Sequence, residues 1–333
     1  MWILVSKQLI IMLIIALIGF CVSKAFKFEK REQQCVSKLL MYFINPCLII
    51  SRFNIPYDSQ KIKSLGLSIF IAIVLHLLMI CLSLLLIRSK NPQEQDLDKL
   101  DRIATVFTNC GFIGIPLING VLGEQGVFYL LGYLVVFNVF LWTFGYVMVG
   151  QKMQLKKIIT NPNIIAVVIG LILFVLPFQL PDIIAKPLSH IGAMNTATAM
   201  LLLGMLFATF KLNNNETAPD SDREASDKVS SEPSLKRIIF RIAKLNIIRL
   251  IIMIPLSLAV VFVSFKIFNN FQDIRTICYV LYICSLTPVA MSVSSFAVLF
   301  NKDQSYSGLL VMSTSTLCII TLPLAIAIAE KVF

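Results

Sequence analysis

Residues 105–126 read TVFTNCGFIGIPLINGVLGEQG, and the interpretation of this stretch decides the fold. It is as long and as apolar as a membrane-spanning segment, yet Asn109, Gly111, Gly114, Pro116, Asn119 and Gly120 stand where Leu or Ile would be expected. Pro116 lacks a backbone donor and clashes with the carbonyl four residues back, while Gly111 and Gly114 relax the helix and would let another backbone come close. In hydrocarbon the freed N–H and C=O groups must find partners, so unwound backbone persists only where protein packs around it or it lines a wet cavity. The stretch therefore predicts a broken helix held inside a larger membrane fold.

Composition agrees. Of 333 residues, 57% are hydrophobic and 14% charged, with a mean hydropathy of +0.84; soluble domains run at about 45–50% apolar and about 25% charged. The apolar residues come in runs of about 20, the span of a bilayer core at about 1.5 Å per residue. Ten spans are expected, at 2–22, 36–53, 63–87, 102–122, 126–149, 161–180, 187–210, 238–265, 275–300 and 304–329. The fold class is thus an all-α polytopic membrane protein. The first run lacks an Ala-x-Ala cleavage site and is read as span 1 rather than a secretory leader.

The net charge of +11 does not point to nucleic acid, because Lys and Arg are spread over loops beside apolar spans rather than gathered on one face. They concentrate in the connections 1–2, 3–4, 5–6 and 7–8. By the positive-inside rule those loops are cytoplasmic and both termini lie outside, in a cell membrane. The connector 211–235, rich in Asn, Ser, Asp and Glu, has almost nothing to bury and is expected to be a disordered cytoplasmic loop. The eight cysteines include no C-x-x-C pair and read as small hydrophobes, so no metal site is expected.

Five spans precede the basic connector QKMQLKK at 151–157 and five follow it. A repeated unit with an odd number of spans is inserted upside down the second time, which is the arrangement of inverted-repeat transporters. The repeats would be 1–150 and 151–333. Span 9 carries the matching break: SLTPVAMSVSSFAVLF contains Thr287, Pro288, Ser292, Ser294 and Ser295. Aligning Gly120–Gly126 with Ala297–Asp303 brings Gly111 opposite Pro288. Two polar, proline-marked spans in corresponding slots are a strong sequence pointer to a transport site near mid-membrane. Half-helix N-termini there offer partial positive charge to an anion, and Asn109 and Thr287 offer hydrogen bonds.

The stretch NCGFIGIPLINGVLGEQG resembles the span 4 signature of the auxin efflux carrier family. INPCLI at 44–49, NPNIIAVVIGL at 161–171, LLLGMLFA at 201–208 and TPVAMSVSSFAVLFNKD from Thr287 resemble the same family's spans 2, 6, 7 and 9. The resemblance implies two inverted five-helix repeats, with spans 1, 2, 6 and 7 as scaffold and spans 3–5 and 8–10 as a moving transport part. It implies a crossover centred on Pro116 and Pro288, with Asn109 beside it and Asn45 and Pro46 closing the site from the scaffold. It also implies a small organic anion as cargo, auxin-like or malate-like, and an elevator-type motion. A homodimer through the scaffold spans is the expected assembly.

By these spans all 18 Asp and Glu residues fall in loops or at span ends, which leaves no mid-membrane carboxylate for a proton relay or a sodium ligand. His76, in the middle of span 3, is the one candidate for proton coupling, against the simpler role of a hydrogen bond to a neighbouring helix. Lys236, Arg237, Arg241, Lys244 and Arg249 open span 8; most are expected to snorkel toward anionic lipid, and Arg249, the deepest, to snorkel or to draw an anion into the vestibule. There is no phosphate-binding loop with a Lys and no Gly-x-Ser-x-Gly elbow, so neither an ATP-driven pump nor an enzyme is expected, and no cofactor. The alternatives are a sodium-coupled carrier resembling bile-acid symporters, or a channel or sensor that keeps the fold without turnover.

Overall fold

The computed structural model describes residues 1–56, 58–89, 94–150, 159–176, 179–209, 235–300 and 302–332. The chain is mostly helical over these residues, because an apolar run that leaves water can satisfy its backbone only within itself. The first helices are α1 (Trp2–Ala25), α2 (Lys30–Leu39), which runs through a π-helical turn Leu40–Ile44 into α3 (Asn45–Phe53), and α4 (Ser59–Leu86). Next come α5 (Gln95–Val106), a π turn Cys110–Gly114, α6 (Ile115–Phe140), a further π turn Leu141–Gly145 and α7 (Tyr146–Met148). The chain continues with α8 (Pro162–Val175), α9 (Asp182–Ala193) and α10 (Asn195–Thr209). Last are α11 (Leu235–Ile247), a π turn Ile248–Ile252, α12 (Met253–Ile267), α13 (Ile274–Leu286), α14 (Met291–Leu299) and α15 (Gln304–Val332).

Seven helical stretches among the described residues are long and apolar enough to cross a membrane, and α8 and α13 are shorter apolar helices. One of the seven, Cys110–Met148, is bent within α6 at Gly123, whose φ of 64° and ψ of −160° are not helical. Only glycine adopts that conformation cheaply. The expected loop 211–235 lies outside the described residues except for Leu235, as does the connector 151–157.

Three π turns stand just ahead of prolines: Leu40–Ile44 before Pro46, Cys110–Gly114 before Pro116, and Ile248–Ile252 before Pro255. The wider turn absorbs the missing donor and the ring clash that proline brings to a helix interior. Helix α1 packs along α10 at very short range. A Cβ on Gly204 would lie 1.8 Å from the Ala16 carbonyl oxygen, and one on Gly19 would lie 2.4 Å from that of Leu201, so two glycines permit this approach. Helix α3 packs on α8 and α9, while α4, α6 and α13 form a second packed set.

The expected start of span 4 at residue 102 is corrected: α5 begins at Gln95 and takes in Asp96, Asp98 and Asp101. Asp98 and Asp101 are buried, so acidic residues do enter the helical core. Hydropathy places them in a loop because it cannot see the partner that neutralises them, Arg241 of α11.

Candidate functional site

At Val106 the α5 ladder stops. Phe107, Thr108 and Asn109 leave the helix, Phe107 in an extended conformation, and pair with Pro288, Val289 and Ala290, the segment between α13 and α14. Thr108 and Val289 form an isolated antiparallel bridge, the sole β pairing among the described residues. The Asn109 N–H donates to the Pro288 carbonyl at 2.7 Å, and the Ala290 N–H donates to the Phe107 carbonyl at 2.9 Å. Two interrupted helices thus cross at their breaks, each using the other's backbone to satisfy what its own helix no longer can.

The crossover is therefore centred on Thr108 and Val289: Pro288, next to Val289, takes part in it as expected, and Pro116 does not. Pro116 sits beyond the break, at the start of α6. Its carbonyl accepts a 3.4 Å hydrogen bond from the Gln8 amide of α1. The sequence alignment was also out of register: α5 and α13 end at Val106 and Leu286, and the following helical turns begin at Cys110 and Met291. Opposing Gly111 with Pro288 misses this correspondence by a few residues. Nor does Gly111 admit a neighbouring backbone, since a Cβ there would meet nothing within 4 Å. At Gly114 the nearest atom would be the Cys110 Cβ at 3.4 Å, an ordinary contact. The close approach is at Gly120 instead, where a Cβ would lie 2.2 Å from the Gln8 side chain.

Asn109 is buried and caps the turn that follows it. Its Oδ1 accepts from the Phe112 N–H at 3.3 Å, and its carbonyl accepts from Ile113 and Gly114, both at 3.0 Å. Its Nδ2 is buried with no partner. The Ser292 hydroxyl, one residue into α14, is also buried without a partner. Thr287 is different: its hydroxyl donates to the Cys284 carbonyl at 2.9 Å within its own helix and is not free for a ligand.

Arg249 is the residue whose expected place is corrected most. It neither snorkels nor faces a vestibule; it is fully buried on the π turn Ile248–Ile252. Its Nη1 donates to the Thr105 carbonyl at 2.9 Å and its Nη2 donates to the Thr287 carbonyl, so one guanidinium holds the ends of both interrupted helices. The reason Thr105 is available is local: its helical partner would be the Asn109 N–H, which the crossover takes for Pro288. Arg249 makes no salt bridge among the described residues, and its Nε is buried without a partner.

Beside the crossover, the Tyr133 hydroxyl lies 3.3 Å from that of Thr108. The Tyr133 ring in turn contacts His76, with centroids 4.7 Å apart. His76 is fully buried and stacks on Phe140 at 5.5 Å. Its Nδ1 donates to the Ala72 carbonyl of its own helix at 2.8 Å, not to a neighbouring helix, and Nε2 has no partner. Asn45 does not reach the break by any hydrogen bond described; its Oδ1 accepts from Asn195 Nδ2 and ties α3 to α10. Pro46, in the first turn of α3, shapes that helix. On the same side, α10 packs against the π turn Cys110–Gly114.

One constellation was not foreseen. Arg241 of α11, expected to snorkel, donates to Glu94 at 3.0 Å and to both Asp98 and Asp101 at 2.6 Å. The Tyr306 hydroxyl of α15 donates to Asp101 at 2.6 Å. Glu94, Asp98, Asp101 and Arg241 line a cavity of about 270 Å³ together with Arg237 and Lys244. The cluster binds the first half of the broken helix to α11 and α15.

The family of membrane transport proteins matches residues 4–154 and 149–326. The chain belongs to this family, the auxin efflux carriers. No curated protein matches it. For an auxin efflux carrier the crossover is the most informative part of the chain, because unwound backbone at membrane depth persists only where protein packs around it or it lines a cavity. Gln8, Tyr133, Arg241 and the two carbonyl contacts of Arg249 are the features at or beside it that motif reading missed. Only the depth of Arg249 within an apolar run was a signal.

Proposed function

We propose that this auxin efflux carrier family member is a secondary transporter that moves a small organic anion, a carboxylate of auxin-like or malate-like size, with its site at the crossover of the two broken helices. The observation that carries the reading is a set of buried donors without partners, Asn109 Nδ2, Ser292 Oγ and Arg249 Nε, on residues that form or hold the crossover. A buried donor left unpaired costs about 1–3 kcal/mol, more when charged, and an anion is the ligand that would repay it. The buried charge of Arg249, which makes no salt bridge among the described residues, favours the same sign of ligand. Helical turns starting at Cys110 and Met291 add partial positive charge from their first N–H groups.

The architecture assigned to this function is two inverted five-helix repeats, 1–150 and 151–333, with both termini extracytoplasmic. Helices α1–α3 and α8–α10 act as scaffold; α4–α7 and α11–α15 carry the site past it. In support, α3 packs on α8 and α9, and α1 on α10, so the scaffold helices cohere with one another. Asn45 and Asn195, linked to each other, tie α3 to α10, and α10 packs against the turn after Asn109. The aromatic cage and unpartnered Nε2 of His76 make it the candidate for proton coupling.

A screen of the purified protein for thermal stabilisation by mono- and dicarboxylates, followed by liposome flux with and without a pH gradient, tests this. Stabilisation and saturable flux by a carboxylate support the reading. If no carboxylate either stabilises the protein or crosses the membrane, the anion assignment fails.

A further inference from the structure

Two helix ends meet at the crossover with their negative poles. Helices α5 and α13 both finish there, and the last carbonyls of a helix have no intrahelical donor and carry its partial negative charge. Thr105, in the last turn of α5, and Thr287, which caps α13, each offer a carbonyl oxygen toward the same point. Converging carbonyls of unwound helices are how membrane carriers coordinate a monovalent cation. In this chain that position is filled from within, by the forked guanidinium of Arg249.

We infer that Arg249 is a tethered counter-ion: its guanidinium occupies the carbonyl cradle between α5 and α13 that a coupling cation would otherwise need, so the crossover assembles without sodium. Three observations carry it. One arm of the fork serves each helix end, each with its own N–H donor in the fixed planar geometry of a guanidinium. The side chain is fully buried and has no acidic partner among the described residues, so the two carbonyls, with the Met79 sulfur at 3.8 Å from Nη1, are what compensate its charge. Finally, Arg249 sits on a π turn inside the α11–α12 stretch, where the wider helical turn ahead of Pro255 presents a side chain to the crossover. Arg249 is thus a positioning residue: it holds the two breaks in register and leaves its Nε toward a ligand. The flux arm of the test rests on the transport reading above; the stability arm does not.

The test uses the full-length purified protein, melted in choline chloride with sodium or millimolar guanidinium added at constant ionic strength. Wild type is expected to melt at the same temperature with and without sodium. Arg249→Ala is expected to melt lower by about 5 °C or more, since two buried carbonyls lose their donors, and guanidinium is expected to restore part of that loss without affecting wild type. Arg249→Lys is expected to fall between the two. In liposomes, wild-type carboxylate flux is expected to be equal in sodium and choline media, while Arg249→Ala flux is expected to require guanidinium or sodium. Stabilisation of wild type by sodium overturns the inference, as does an Arg249→Ala protein that melts like wild type or gains nothing from guanidinium. If Arg249→Ala yields no folded protein, wild-type indifference to sodium together with the intermediate Arg249→Lys supports the inference, and sodium stabilisation of either overturns it. Absence of any carboxylate flux with guanidinium rescue intact would fault the anion reading and leave the counter-ion in place.

Discussion

The Asn109 amide donates its N–H to the carbonyl of Pro288 at 2.7 Å, joining two helices that each lack the residue's worth of ladder the other supplies. Everything distinctive about this chain follows from that exchange. It frees the Thr105 carbonyl for Arg249, sets Asn109 as the cap of the next turn, and leaves the Asn109 Nδ2 without a partner.

The reciprocal bond can be removed singly. Ala290 has φ −66° and ψ 142°, values that proline adopts without strain, and its N–H donates to Phe107. Ala290→Pro is therefore expected to delete one crossover hydrogen bond and to set the ring's Cδ against the Phe107 carbonyl, costing at least about 1–3 kcal/mol. A melting temperature lowered by several degrees is the expected result. An unchanged value would mean that the pairing contributes nothing to the fold.

The Arg241 cluster is expected to be far more sensitive. Arg241→Ala leaves Asp98 and Asp101 buried and facing each other without their cation, a class of change that costs about 3–5 kcal/mol. Combining it with Asp98→Asn and Asp101→Asn is expected to recover much of the loss in a chemical or thermal melt. By contrast, Glu124→Gln removes an ion pair to Arg52 whose acid is 80% exposed, and is expected to change stability by less than about 1 kcal/mol.

Helix packing gives a matched pair of glycine variants. Gly204→Ala places a methyl group 1.8 Å from the Ala16 oxygen and is expected to push α1 off α10, seen as loss of folded protein in size-exclusion chromatography. Gly66→Ala, in the interior of α4 with nothing within 4 Å of the new carbon, is expected to stabilise by about 0.5–1 kcal/mol.

The broken helices were legible in the sequence because Asn109, Pro116, Thr287 and Pro288 interrupt runs that hydropathy otherwise reads as spans. The register of the crossover was not. Prolines mark where a helix is disturbed, but here the disturbance from Pro116 is taken up by a π turn and the chain opens earlier, at Phe107. The start of α5 was missed because a charge counts against a span unless its partner is known, and Arg241 lies far along the chain from Asp98 and Asp101. Arg249 was misplaced for the same reason: periodicity assigns a residue to a helix face, whereas only the fold shows which carbonyls that face meets. The glycines expected to admit a close neighbour were Gly111 and Gly114; the contact falls at Gly120 and involves Gln8, a residue with no motif to announce it.

The central claim is that the crossover binds the transported anion through Asn109. Asn109→Asp tests it most directly, because the acid keeps the side-chain oxygen that caps Phe112 while replacing the unpartnered Nδ2 donor with a negative charge. The decisive measurement is carboxylate flux into proteoliposomes alongside the melting temperature of the same preparation. The account predicts a folded protein that melts below wild type, because a buried carboxylate replaces a neutral amide, and that carries no carboxylate above the empty-liposome background; an Asn109→Asp protein that transports at the wild-type rate would contradict it.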